Sequence, residues 1–176
     1  KIFYLVFPEF RYLDRLEKNY FKISLKLRPE ILISIMLIDD TDNHEYFIHK
    51  YKVSNNTRDK LNFLSDCLRK NKLDKEFLGK KLIKNIYFFG KENLEDFNIL
   101  KFFMGKGKNL KSFLDIQKKI KKVLIPKMPY SGSFLLSRGL KEGKKLGEIQ
   151  KKLEISWVEN NFSLNKNQID EIINSN

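Results

Sequence analysis

The chain has 176 residues, enough for one ordinary domain or two small ones that bury a hydrophobic core. Apolar residues make up 41% of it, including fifteen Phe and seven Tyr, which excludes a disordered tail. The net charge is +13, because 35 Lys and Arg residues outnumber 22 acids, and a field of this sign favours polyanionic partners.

Almost all of that charge lies between Lys101 and Lys152, where fifteen Lys and Arg residues accompany three acids. Nucleic-acid phosphates are the polyanions that such a local field attracts. A codon bias toward Lys, Asn and Ile is the alternative explanation, and the clustering favours a nucleic-acid partner over it.

The cysteine content and the apolar segments of the sequence indicate the cellular compartment. The single cysteine, Cys67, excludes an internal disulfide and a multi-cysteine zinc site, and we expect it in the core. The start lacks a signal-peptide pattern, and the longest apolar run, 31–38, is far shorter than the roughly 20 residues that span a bilayer. We expect a cytoplasmic protein without a membrane segment. Because the chain begins at Lys1 without Met, we also expect a segment of a longer protein.

Apolar residues recur at helical spacing along the first half. Residues 9–28 carry Phe10, Leu13, Leu16, Tyr20 and Phe21 at such spacing. Pro29 then opens a helix that runs toward Asp39. The next helix has Leu61, Leu64, Cys67 and Leu68 on one face. Ser54 or Asn55 is its predicted cap.

Three more helix signals follow. A helix over 74–89 is predicted to stop at Gly90, and Asn93 is predicted to cap a helix that ends at Met104. A loop at 105–108 leads to a helix that prolines 126 and 129 should end. Its inward positions are Leu110, Phe113, Leu114, Gln117, Ile120 and Leu124. Since no segment alternates at period two, we predict an all-α fold with a helical body over 1–125 and a smaller helical tail over 126–176.

Within the tail, a short helix starts at Ser131 and Gly139 ends it, Gly143 lies in a second turn, and a long helix begins near Lys144. The apolar face of the long helix contains Leu146, Ile149, Leu153 and Trp157, while Lys144, Lys145, Lys151 and Lys152 project elsewhere. Asn165 is predicted to cap a last helix. The inward residues of that helix are Ile169, Ile172 and Ile173.

Few residues suggest catalysis or metal binding. His44 and His49 lack the spacing of metal ligands, and we expect solvated or hydrogen-bonded side chains. Asp39, Asp40 and Asp42 lack the Gly and Glu positions of a calcium loop, which favours a solvated loop. We therefore predict neither catalytic nor metal-binding residues in this chain.

The sequence Ser131-Gly132-Ser133 is the more promising feature. A serine before a helix caps free amides, and those amides with the helix dipole can hold a phosphate. The alternative is that the glycines only allow short helices to pack and the lysines only solvate the surface. The nearby cations are Lys127, Arg138, Lys141, Lys144 and Lys145.

The run 128–162, MPYSGSFLLSRGLKEGKKLGEIQKKLEISWVENNF, resembles the C-terminal signature of bacterial class II tRNA nucleotidyltransferases, the CCA-adding enzymes and bacterial poly(A) polymerases. That signature has a Ser-Gly-x-Asp-Leu turn, a Gly, a Pro-Gly-Pro turn, an apolar-Gly pair and an amphipathic helix ending near Trp and Phe. The matching positions are Ser131, Gly132, Leu135, Gly139, Gly143, Leu146, Gly147, Trp157 and Phe162. Phe134 replaces the Asp, and Glu142 and Lys144 replace the prolines.

Two upstream stretches are similar to the helical body of the same family, so that the resemblance covers most of the chain. YKVSNNTRDKLNFL at 51–64 is like its Leu-Ser-Asn-x-x-Arg-x-x-Leu pattern, and IYFFGKENLEDFNILKFF at 86–103 is like its Gly-x-x-x-x-x-Asp helix pair. The family's catalytic head, with Gly-Ser before paired carboxylates, and its nucleotide-reading neck have no match here.

The resemblance implies a body and tail that grip tRNA at the acceptor arm and elbow side. It implies a parent enzyme that adds CCA, part of it, or poly(A) to RNA 3′ ends from CTP and ATP. Mg²⁺ and the two-metal chemistry belong to the missing head, so we expect no cofactor and no activity in this chain alone. Phosphates and 2′-hydroxyls are the expected contacts. The predicted RNA-binding residues are Lys127, Ser131, Gly132, Ser133, Arg138, Lys141, Lys144 and Lys145, with Lys106 and Lys108 second.

Two other classes stay open. A helix-turn-helix DNA-binding regulator is compatible with short helices around 139–143, although the residues after Gly143 are mostly Lys with one Gln, and base edges are read by Arg, Asn and Gln. A self-contained enzyme of another type is the third class.

Overall fold

Helices form every regular element that the structure describes. The computed structural model describes residues 5–19, 23 and 26–174. The helices are α1 (Leu13–Asn19), α2 (Pro29–Leu37), α3 (Asn43–Tyr51), α4 (Asn55–Leu73), α5 (Leu82–Phe89), α6 (Lys91–Met104), α7 (Leu110–Lys122), α8 (Gly132–Ser137), α9 (Lys144–Glu159) and α10 (Lys166–Asn174). The predicted all-α fold is confirmed for these ranges.

The chain forms two compact units, Lys1–Val123 and Leu124–Asn176. In the first unit α6 is the central helix, and it packs against α1, α2, α4, α5 and α7. Its fully buried side chains are Leu94, Phe97, Leu100 and Phe103. A helix that is buried on nearly all sides is a core element, so α6 positions the helices around it.

The segment 74–89 differs from its prediction as one helix. Residues 75–81 form turns, and α5 begins only at Leu82. Asp74 Oδ1 accepts a hydrogen bond from Glu76 N at 3.0 Å, and the Glu76 carboxylate accepts one from Lys80 N at 3.2 Å. Side-chain bonds to nearby amides compete with helical bonds, so the first two predicted turns do not form.

Gly90 alone separates α5 from α6. It lies at the end of one helix and the start of the other with φ +81°, a conformation that glycine adopts without steric cost. Asn93 was predicted to cap the second helix, and this is wrong. It lies inside α6, where its Nδ2 donates to Phe89 O at 2.9 Å.

Three other helix limits differ from the sequence pattern. In 9–28 the described helix starts only at Leu13, because residues 7–12 form turns or irregular backbone. Tyr20 and Phe21 lie outside the described residues. α2 ends at Leu37, before Asp39, and α7 ends at Lys122, so Pro126 and Pro129 lie beyond the end of α7.

In the loop between α2 and α3, Asp40 and Asp42 are exposed as predicted, whereas Asp39 is not. The Asp39 side chain is 4% exposed and accepts hydrogen bonds from Tyr12 OH and Thr41 N, both at 3.0 Å. Burial alone would raise the Asp39 pKa, but the bonds from Thr41 and Tyr12 hold it below its usual value. His44 is 1% exposed, and neither ring nitrogen has a hydrogen-bond partner among the described residues. The expectation of a solvated or bonded His44 is therefore wrong.

Cys67 is in the core, as predicted. Its side chain is buried on α4, and burial raises the pKa of its thiol to about 12. A thiol that stays protonated at neutral pH is a weak nucleophile. Cys67 therefore acts as a small apolar residue.

A buried carboxylate joins α2, α4 and α6. Asp96 Oδ2 accepts hydrogen bonds from Lys60 Nζ at 2.7 Å and from Arg28 Nη2. Arg28 also bonds to Glu92, and these two carboxylates raise the Arg28 pKa. Asp96 is the aspartate of the Gly-x-x-x-x-x-Asp pattern. Ser54, in the other body pattern, caps α4 as predicted.

Candidate nucleic-acid interface

The second unit is built around α9, which packs against α8 and α10. Ile149, Leu153 and Trp157 lie on its inner side and are at most 3% exposed. Leu135 of α8 and Ile169 of α10 are buried as well. The predicted apolar stripe and the core position of Trp157 are therefore confirmed, and they fix which side of α9 faces outward.

The outward side carries lysines. We call Lys144, Lys145, Lys151 and Lys152, all of which are exposed, the α9 lysine face. At 3.6 residues per turn, Lys144 and Lys151 lie opposite Leu153, and Lys145 and Lys152 lie roughly 90° from it, along about 12 Å of helix. Glu148 is the acid among them, and its Oε1 is 3.9 Å from Lys144 Nζ. A row of cations fixed by a packed helix can hold successive phosphates without further folding.

A Schellman turn ends α8. Leu140 N donates to Leu135 O and Gly139 N donates to Leu136 O, with Gly139 at φ +86°. This is the hydrogen-bond pattern that a glycine after a helix end favours. The glycine at position 139 of the family signature therefore has a local structural role.

The end of α9 is closed in the same way. Phe162 N donates to Trp157 O at 2.7 Å and Asn161 N donates to Val158 O, with Asn161 at φ +56°. The rings of Trp157 and Phe162 meet edge to face at 5.0 Å, the apolar contact that accompanies this turn. The Trp and Phe of the signature therefore fix the end of the helix that carries the lysines.

Ser131 caps α8, as predicted. Its Oγ accepts a hydrogen bond from Phe134 N at 3.2 Å and lies 2.7 Å from Ser133 Oγ. A Cβ on Gly132 would lie 3.8 Å from Leu146 Cδ2, an ordinary contact. These residues shape a helix of only six residues, and phosphate contact by them stays a prediction.

Arg138 is already engaged within the unit. Its Nη1 donates to Asp170 Oδ1 at 2.9 Å, and its guanidinium lies 5.3 Å from the centre of the Phe134 ring. Phe134 also contacts Tyr130, with ring centres 5.5 Å apart. An aromatic residue at this signature position therefore has packing partners where the family has an aspartate.

The predicted residues are divided between the two units. Lys127 and Lys141 are exposed in the second unit, together with the α9 lysine face. Lys106 and Lys108 are exposed in the turn between α6 and α7, which belongs to the first unit. Lys106 has φ +56° and its N donates to Phe103 O in a Schellman turn. A lysine there occupies a position that favours glycine.

The predicted set left out Lys151 and Lys152. They share the outer side of α9 with Lys144 and Lys145, and the helical period of the sequence was a sufficient signal for them. The lysines of α7 are also absent from the predicted set.

Within residues 5–19, 23 and 26–174, no three His, Cys, Asp or Glu side chains form a group that could hold a metal ion. None of the described helices combines the length and apolar character needed to cross a bilayer.

Comparison with protein-family models, with curated proteins and with solved structures finds no match for the chain. The candidate surface is the α9 lysine face. It supplies ammonium groups on a fixed helix, which suit the binding of phosphates.

Proposed function

We propose that the chain binds tRNA through the α9 lysine face, as the body and tail of a tRNA nucleotidyltransferase. One observation carries this proposal: α9 presents four exposed lysines away from the buried Leu153 and Trp157, and Glu148 is the one acid within 144–152, since the other two acids of α9 follow at 154 and 159. Core packing on one side holds the cations on the other side in place. A row of charge on a preformed helix loses less backbone freedom on binding than a flexible basic tail would.

The type of contact follows from the side chains. Lysine ammonium groups are donors without acceptors, and they bind phosphate oxygens as point charges with little base discrimination. An RNA duplex presents phosphates and 2′-hydroxyls more readily than readable base edges. We therefore propose recognition by shape and charge, in a parent protein whose head adds CCA, part of it, or poly(A) from CTP and ATP.

The positions that carry the resemblance support the same proposal. Ser54 caps α4, Asp96 holds Lys60, Ser131 caps α8 and Trp157 packs against Phe162. These residues position helices, as expected of a substrate-holding scaffold. Nucleotide selection would belong to the head of the parent.

Competition binding tests this function. Labelled tRNA bound to the chain at about 0.15 M salt is challenged with unlabelled tRNA or with a duplex DNA of equal phosphate count. We expect tRNA to compete at least ten-fold better. Tighter binding of the DNA would favour a helix-turn-helix regulator. Residues 138–143 separate α8 from α9, which is longer than the 3–4-residue turn usual in that motif.

A charge variant locates the surface. The triple variant Lys144→Gln, Lys145→Gln and Lys151→Gln should weaken tRNA binding and lower the salt slope by about 2 to 3. The control variant Lys52→Gln, Lys75→Gln and Lys80→Gln removes the same charge from exposed positions of the first unit. Equal losses in both variants would show general charge attraction and no specific surface.

An activity assay tests whether catalysis belongs to the head of the parent protein and not to this chain. The chain alone, with Mg²⁺, tRNA, CTP and ATP, should extend no RNA 3′ end. Extension that survives further purification would instead indicate a self-contained enzyme.

A further inference from the structure

The first unit carries a lysine surface of its own on α7. We call Lys111, Lys118, Lys119, Lys121 and Lys122, all of which are exposed, the α7 lysine face. Phe113, Gln117 and Ile120 are buried on the opposite side of the helix. At 100° per residue, Lys111, Lys118 and Lys122 form one row of about 16 Å, and the other two lysines flank it.

The α7 lysines lack the carboxylate partners that several other cations of the first unit have. Ion pairs with Asp or Glu are formed by Arg28, Lys50, Arg58, Lys60, Arg69, Lys72 and Lys81. Among the residues that the structure describes, none of the five α7 lysines has such an ion pair. Their charge is therefore uncompensated locally and projects into solvent, where it attracts polyanions.

A shallow groove lies beside this face. Three lysines and one acid, Lys118, Lys119, Lys122 and Asp115, line it together with the apolar residues Leu82, Ile83 and Val123, and its volume is about 480 Å³. Ile83 is 44% exposed. Its cations suit phosphates, and its apolar residues suit sugar and base surfaces that lie next to them. A nucleic-acid strand presents both at short, regular intervals.

We propose that the α7 lysine face is a second RNA-phosphate contact, carried by the first unit. The choice of RNA as the ligand rests on the proposed function. The geometry of α7 adds that the first unit binds RNA directly and does not serve only as a support.

Replacing Asp115 tests this proposal by an expected gain in RNA affinity, whereas replacing the lysines tests it by an expected loss. It is exposed, and it is the one acid in the sequence of α7, between Lys111 and Lys118. Its charge repels a phosphate chain laid along the row. Asp115→Asn should therefore tighten RNA binding, while a merely structural role for α7 predicts no change.

The experiment uses the full chain and fluorescence titration with tRNA over about 0.05 to 0.3 M salt. The variant Lys118→Gln, Lys119→Gln and Lys122→Gln should bind roughly 10- to 100-fold more weakly at 0.15 M salt, with a salt slope lower by about 2 to 3. The control Lys52→Gln, Lys75→Gln and Lys80→Gln should change affinity by less than about 3-fold. Asp115→Asn should raise affinity by roughly 2- to 5-fold.

The possible failures are distinguishable. If the α7 variant binds tRNA like the unmodified chain while the α9 variant of the preceding section loses affinity, the second contact is wrong and the proposed function stands. If the unmodified chain does not bind tRNA at all, the proposed function is wrong. Poly-glutamate that displaces tRNA as well as RNA does, at equal charge, would assign the face to an acidic protein and overturn the inference.

Discussion

Arg138 Nη1 donates to Asp170 Oδ1 at 2.9 Å, so the single arginine of the second unit ties the end of α8 to α10. The same guanidinium lies over the Phe134 ring. The fold therefore already engages this cation, and its charge is partly neutralised before any RNA arrives. In this it differs from Lys145 and Lys151, which extend from the outer side of α9.

The Asp170→Asn substitution separates the two roles of Arg138. We expect tRNA affinity to rise roughly 2- to 5-fold, because one repelling charge is removed and Arg138 is released. The pair is about one-third exposed, so the free energy of unfolding should fall by only about 0.5 kcal/mol. RNA titration and urea unfolding measure the two effects. A loss of affinity would mean that Asp170 must hold Arg138 in position for the RNA.

Removal of the Asp96 charge should destabilise the first unit strongly. In Asp96→Asn, Lys60, which is 13% exposed, keeps its positive charge without a carboxylate at 2.7 Å. We expect a loss of about 2 to 4 kcal/mol in the free energy of unfolding. Urea unfolding followed by far-UV circular dichroism reports the helices of both units. The fluorescence of Trp157, the one tryptophan, reports the second.

The two probes give this prediction its control. Asp96→Asn should shift the circular dichroism transition of the first unit and leave the Trp157 transition in place. Asp115→Asn, which alters an exposed acid, should shift neither by more than about 0.5 kcal/mol. A small effect of Asp96→Asn would show that Lys60 finds sufficient compensation in Asn93 Oδ1, which lies 2.6 Å from its Nζ.

His44 should make the protein sensitive to mild acid. Burial lowers the His44 pKa from its usual value of 6.5. Glu45, Arg69 and Asp39 are the charged groups around the ring. Between pH 6.5 and the lowered pKa of the folded state, His44 is largely protonated in the unfolded chain and largely neutral in the folded chain. Stability therefore declines as the pH falls from 6.5 toward the lowered folded-state pKa.

His44→Leu tests this origin of the pH dependence. We expect the slope of unfolding free energy below pH 6.5 to disappear, with little loss at pH 7.5, because the replaced ring nitrogens have no hydrogen-bond partners among the described residues. His49→Gln at an exposed position is the control. Glu9 and Asp39 have lowered pKa values, so they act in a separate window below pH 4.5. An unchanged slope in His44→Leu would assign it to another group.

Replacing Lys106 with glycine should stabilise the protein and weaken its binding to tRNA. Since φ is +56° at this position, Lys106→Gly should raise the free energy of unfolding by about 1 kcal/mol. If the lysine contacts RNA, the same variant should bind tRNA more weakly. Thermal unfolding and RNA titration on one preparation measure both effects. Lys108→Gln is the control that removes charge without relieving the backbone, and greater stability with unchanged affinity would remove Lys106 from the interface.

The sequence predicted α9 well and the segment around α5 poorly, for different physical reasons. Ile149, Leu153 and Trp157 repeat at the helical period, so their shared face could be predicted locally. The turns at 75–81 depend on competing bonds of Asp74 and Glu76, which an apolar pattern does not contain. The same limit applies to the candidate site. The exposed lysines follow from the period of α9, but the pairing of Arg138 with Asp170, 32 positions later, depends on tertiary packing.

The single-residue connection at Gly90 restricts where the chain can gain or lose residues. Because a single residue both closes α5 and opens α6, no loop is present there to absorb an insertion. One added residue within α6 would rotate everything after it by about 100°, carrying Phe97 and Leu100 out of the positions that the surrounding helices enclose. Residues 123–131, which are outside any helix, lack this constraint. Relatives that differ in length should therefore gain and lose residues there and keep the α5–α6 joint fixed.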